Sequence, residues 1–125
     1  MKITIVSQSN TVVYHGTNER LTSFDGDKQQ SGYYPGFYVT ESKSLAETFG
    51  SLLYSFTIDK SKFYDLPDNK SANDLKDLVR SKGFFTTEGS GYGDVEYLKS
   101  IGYYGIKRGA TYVVFEPQNS LTRID

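Results

Sequence analysis

Three short segments hold the residue types best suited to chemistry. Val13-Tyr14-His15-Gly16-Thr17 carries the chain's one histidine at the end of a β-branched and aromatic run, just before a glycine. A neutral imidazole offers one donor and one acceptor, and glycine lets a ligand approach the backbone. Pro35-Gly36-Phe37-Tyr38-Val39-Thr40 reads as a short strand with a tyrosine at its centre. Thr111-Tyr112-Val113-Val114-Phe115-Glu116-Pro117 reads as a late strand closed by proline. Rings at such positions can pack a core or stack on a flat ligand. Read one at a time, a strand-capping histidine and core aromatics account for these segments.

The elements that must position them follow from patterning. Lys2–Ser7 alternates as a strand does, Gln8-Ser9-Asn10 forms a turn, and Thr11–His15 is a second strand. Asn18–Phe24 is expected as a short helix or irregular segment, and Asp25–Gly36 as a polar surface loop. A helix follows Thr40 or Ser42 and stops at Gly50; Ser51–Ile58 and Lys62–Leu66 are strands. Asp68–Ser71 is expected as a turn, with Ser71 or Asn73 capping a helix over Leu75–Ser81 that Gly83 ends. Thr86–Gly93 has three glycines and is expected as a loop, with Asp94 capping a helix through Ser100; Val95, Leu98 and Ile101 fall on one face and Gly102 stops it. Tyr103–Lys107 and Tyr112–Phe115 are strands joined by Arg108-Gly109-Ala110. Many short strands with small inserted helices give an α+β class and one domain over residues 1–125.

Taken in order, the histidine strand, the Gly-aromatic-Tyr strand before an alanine-containing helix and the late Tyr-Val-Val-Phe strand resemble the ADP-ribosyltransferase superfamily. The branch is that of diphtheria toxin and poly(ADP-ribose) polymerase, with its His-Tyr-Glu signature. The resemblance covers about residues 11–122. Leu98–Ile106 also looks like the helix-Gly-strand lead-in of small bacterial and phage members. The resemblance implies two packed antiparallel sheets with small helices and an NAD cleft between them. It implies that His15 hydrogen-bonds the nicotinamide ribose and that Gly16 presents its backbone to the nicotinamide amide, with Thr17 as the usual small hydroxyl residue. Tyr38 and, eleven positions on, Phe49 would hold the nicotinamide. Tyr33 and Tyr34 fall in the segment that would cover NAD.

One position departs from the signature: Thr111 stands where the family has glutamate. Threonine cannot place a negative charge beside the oxocarbenium-like ribose, and losing one such contact costs on the order of 10²–10³ in rate. Glu116 lies too far along the strand to replace it and reads as a strand-end charge. Glu88, Asp94 and Glu96 lie near a glycine-rich stretch, with Asp94 read first as a helix cap and Glu96 as a solvated charge. The expected activity is therefore mono-ADP-ribosyl transfer from NAD, as substrate, to a macromolecular acceptor, protein rather than nucleic acid, by a small bacterial or phage effector. A catalytically inactive module of the same fold, binding NAD or a protein partner, and an NAD glycohydrolase are the alternatives.

Composition narrows the classes. The 125 residues carry a formal charge of −1, so no global field draws the chain to nucleic acid or membranes. With no cysteine and one histidine, thiol catalysis is excluded and no metal is expected. No segment approaches the roughly 20 apolar residues of a membrane span. Met1–Ser7 lacks the apolar stretch of a secretion signal, which gives the expectation of a cytoplasmic protein. Eleven tyrosines and eight phenylalanines suit half-buried sheet surfaces.

Overall fold

Alternation along Val12-Val13-Tyr14-His15 builds the strand that organises the sheet. The computed structural model describes residues 10–20, 34, 36–84 and 90–124. In chain order these form β1 (Asn10–Thr17), β2 (Phe37–Thr40), α1 (Lys43–Glu47), β3 (Leu52–Asp59), a 3-10 turn (Lys60–Lys62) and β4 (Phe63–Asp65). There follow α2 (Asn69–Ser81), α3 (Ser90–Ser100), β5 (Gly105–Arg108), β6 (Thr111–Val114), α4 (Pro117–Ser120) and β7 (Thr122–Arg123). The described strands make one sheet in the order β4-β5-β6-β2-β1-β3-β7. The α+β class is therefore observed. Among the described residues there is one sheet in place of two packed antiparallel ones, because β2 and β6 pair along their whole length, from Phe37↔Val114 to Thr40↔Thr111. One pair, β4 with β5, is parallel, and α2 and α3 make the long crossover that a parallel pair requires.

Strand alternation gives the sheet two apolar faces. One packs Val13, Phe37, Val39, Tyr54, Phe56, Ile58, Phe63, Tyr112 and Val114 together. Both outer parts of the sheet contribute to this cluster, so the sheet curls over it. The other face packs Ile106 and Val113 against Leu75 and Val79 of α2, Val95 and Leu98 of α3, and Tyr34. On the first face the Tyr112 hydroxyl donates to Glu41 Oε2 at 2.5 Å, and both burial and that acidic partner raise its pKa.

Local chemistry explains most element ends. Ser42 caps α1, its Oγ accepting from Leu45 N–H at 3.1 Å. Gly109 alone of the two residues between β5 and β6 has positive φ, 63°, as a type II′ turn requires. Among the described residues, no helix is long and apolar enough to cross a membrane.

Three expectations are corrected. Asn10 begins β1 rather than closing a turn. The α2 helix starts at Asn69 because Asp68 is its cap: Asp68 Oδ1 accepts from Ser71 N–H at 2.8 Å and Ser71 answers as the third residue of a capping box. The α3 helix starts at Ser90, so Asp94 is interior to it and caps nothing. Glycine there serves packing: a Cβ on Gly93 would lie 2.8 Å from the Phe84 carbonyl oxygen. Ile101 lies past the end of α3 and is exposed. Asn18–Arg20 takes the irregular form, one of the two expected for that segment. The strand expected over Lys2–Ser7, the rest of the Asn18–Phe24 segment, and Tyr33 lie outside the described residues.

Candidate functional site

A cleft of about 570 Å³ opens between α2 and the sheet, lined by Tyr34, Tyr38, Asn69, Ala72, Asn73, Lys76, Arg108, Thr111 and Val113. Its sheet wall follows from register. Thr111 pairs with Thr40 on one side and Arg108 on the other, and Thr111 and Val113 share a strand face. Tyr38, from the neighbouring strand, presents its ring to the same face. Its hydroxyl donates to the Tyr34 carbonyl at 2.7 Å, and burial raises its pKa. The opposite wall is one polar stripe of α2: Asn69, Asn73 and Lys76 recur at helical spacing. The cleft thus combines two phenol rings, two cations, two amides and a threonine.

Tyr38 and Thr111, 73 positions apart, come together here. His15 does not join them. Its ring stacks on Phe37, with centroids 4.2 Å apart, on the face opposite the Tyr38 side chain. Its Nδ1 lies 2.6 Å from the Tyr38 carbonyl oxygen, so the imidazole supports the backbone of the cleft tyrosine from behind. It is 8% exposed.

Gly16, Thr17 and Phe49 meet at a second place, where β1 leaves the sheet. A Cβ on Gly16 would lie 1.7 Å from the Ala46 carbonyl oxygen, so the close approach that glycine permits is made by α1. Thr17 Oγ1 accepts from Glu19 N–H at 3.0 Å. Asn18 Oδ1 accepts from Ser51 N–H at 3.0 Å, tying this exit to the start of β3. Phe49 follows α1 and is 64% exposed.

The other acids separate clearly. Glu116 pairs with Lys99 at 3.3 Å at the start of α4, away from the cleft. Glu96 is exposed near Lys99. Glu88 lies outside the described residues. Asp94 is different: it is 1% exposed, hydrogen-bonded to Tyr34, and pushed up to about 6 by burial against the opposing pull of Lys76 and Arg80. It stands behind the cleft wall rather than in it. Among the described residues no cluster of three histidine or acidic side chains is arranged to hold a metal.

Sequence patterning passed over Lys76, Arg108, Asn69 and Asn73. The α2 stripe was detectable as polar residues at i, i+4 and i+7, opposite the apolar Leu75, Leu78 and Val79. Arg108 carried no signal beyond standing before a turn glycine.

No family model matches the chain, and no curated protein matches it. Among solved structures, the crystal structure of an anti-CRISPR protein is similar to it at 14% identity, with a TM-score of 0.51, over 94% of this chain and 97% of that one. At this identity the likeness is one of fold.

Proposed function

We propose that this chain is a mono-ADP-ribosyltransferase that takes NAD into the cleft between β2, β5, β6 and α2. The observation that carries the reading is the meeting of distant motifs. The strands with the His15, Tyr38 and Thr111 segments are neighbours, in the order β6-β2-β1, and Tyr38 and Thr111 face one cavity. The lining suits a dinucleotide. Tyr38, backed by the buried Tyr34, offers a ring to a flat base, Lys76 and Arg108 offer charge to a pyrophosphate, and Asn69 and Asn73 offer amide hydrogen bonds. In transfer, the bond from nicotinamide to ribose C1′ breaks, nicotinamide leaves with the bonding pair, and an acceptor oxygen bonds C1′. Thr111 supplies no charge to that carbon, so a carboxylate-bearing acceptor suits the site, and chain elongation does not. His15 acts in this reading by holding the Tyr38 backbone, a more distant role than contact with ribose.

The likeness to an anti-CRISPR protein is one of fold, which does not fix function; that the acceptor is a protein is part of the proposal. A second reading, a non-catalytic module of the same fold, is favoured by Thr111 and by the closed contact at Gly16. Incubation with NAD, in buffer and in host lysate, separates them by the free nicotinamide formed. Release that needs lysate supports the transferase. Release in buffer alone points to a glycohydrolase. A folded protein that releases none in either leaves the binding module.

A further inference from the structure

Asp94 is a buried carboxylate that the proposed chemistry does not use. It lies five residues into α3, 1% exposed. Its carboxylate is hydrogen-bonded to the Tyr34 side chain, while Oδ2 has no hydrogen-bond partner among the described residues. Lys76 and Arg80 face it from α2. Tyr34 is itself 3% exposed and forms part of the cleft wall. Its carbonyl accepts from the Tyr38 hydroxyl. A single file of contacts therefore runs from a carboxylate in α3, through Tyr34, to the ring of Tyr38.

We infer that Asp94 is a positioning residue for this cleft: ionised, it fixes Tyr34 and through it Tyr38, and its protonation loosens that wall. The inference rests on the cleft being the ligand site. A carboxylate is a stronger acceptor than a neutral acid, so the grip on the Tyr34 hydroxyl depends on charge. A half-paired carboxylate in an apolar helix interface is an expensive way to hold a helix together; as an anchor for a ligand-facing ring it has a use. The value of about 6 puts the change within the range in which cells live. Protonation has a second consequence of opposite sign, because it leaves Lys76 less compensated and would tighten an anion.

The test reads two quantities on the full chain from pH 5 to 7.5, in wild type and in Asp94→Asn, which is permanently neutral. The first is the ring NMR signal of Tyr34 in the free protein. It is expected to shift with a midpoint near 6 in wild type and to stay constant in the variant. The second is NAD affinity. It is expected to weaken about tenfold as the wild type is acidified, and to be low and flat in the variant. A Tyr34 signal that does not titrate, or a profile that persists in Asp94→Asn, overturns the inference. So does binding that tightens on acidification, which would make the field of Lys76 the stronger effect. A Tyr34 signal that titrates in a protein without affinity for NAD upholds the coupling and overturns the NAD reading instead.

Discussion

At the scale of single residues, position 111 is where the proposed chemistry is most directly tested, and position 94 carries a cost in stability. Thr111 pairs with Arg108 across the β5–β6 ladder, so a carboxylate placed there would stay ionised beside a cation. Thr111→Glu is therefore expected to raise nicotinamide release by about 10²-fold. Single-turnover measurement with excess enzyme reads it, and an unchanged rate would argue against catalysis in this cleft. Asp94 is held at about 6 against an ordinary value of 3.8. The folded protein therefore keeps a proton that the unfolded chain has released, and stability falls as pH rises from 3.8 to 6. Above that the full cost persists, up to roughly 3 kcal/mol. Asp94→Asn is expected to unfold at a higher temperature than wild type at pH 7.5, with the gap narrowing by pH 4. A gap independent of pH would mean that charge is not the cause.

At the scale of elements, two glycines separate steric from conformational demand. Gly16 lies under α1, and an added Cβ would meet backbone 1.7 Å away. Gly16→Ala must displace the helix from the sheet, at roughly 2–4 kcal/mol. Gly102 has open space around it but a φ of 99°, so Gly102→Ala is expected to lose only about 1–2 kcal/mol. Denaturant melts of the two variants check the order, and a mild effect at Gly16 would mean that α1 can lift away and admit a ligand there. This contact also marks a limit of reading sequence. The glycine was visible, but whether a ligand or a helix uses it depends on a partner 30 positions away. The strands were legible because alternation and β-branched residues dictate them locally. The start of α3 was not, since Gly91 and Gly93 carry a loop signature that packing against Phe84 overrides. The start of α2 was missed by a few residues because Asp68 and Ser71 are both able caps, and only their reciprocal bonds decide between them.

At the scale of the molecule, the sheet order explains why the candidate site divides. A sheet has two faces, and alternation sends His15 and Tyr38 to different ones although their strands adjoin. A sequence pattern gives the order of motifs along the chain; it does not give the phase with which each strand meets the core. The consequence is a cleft whose charged and amide lining comes from α2 and β5, elements outside all three motifs. If that cleft holds NAD, ligand binding must stabilise the whole fold, since the cleft exists only when α2 is docked on the sheet. At a ligand concentration about 100-fold above Kd the gain is about 2.7 kcal/mol, or a rise of about 10 °C in Tm for a chain of this length. Arg108→Ala removes a cation from the lining, so it is expected to shrink the NAD-induced rise while leaving the ligand-free Tm within a degree or two. Inorganic pyrophosphate should give a smaller rise that depends on the same arginine. A full NAD shift in the Arg108→Ala variant would move the ligand out of this cleft, and the exposed Phe49 beside the exit of β1 would become the place to look for it.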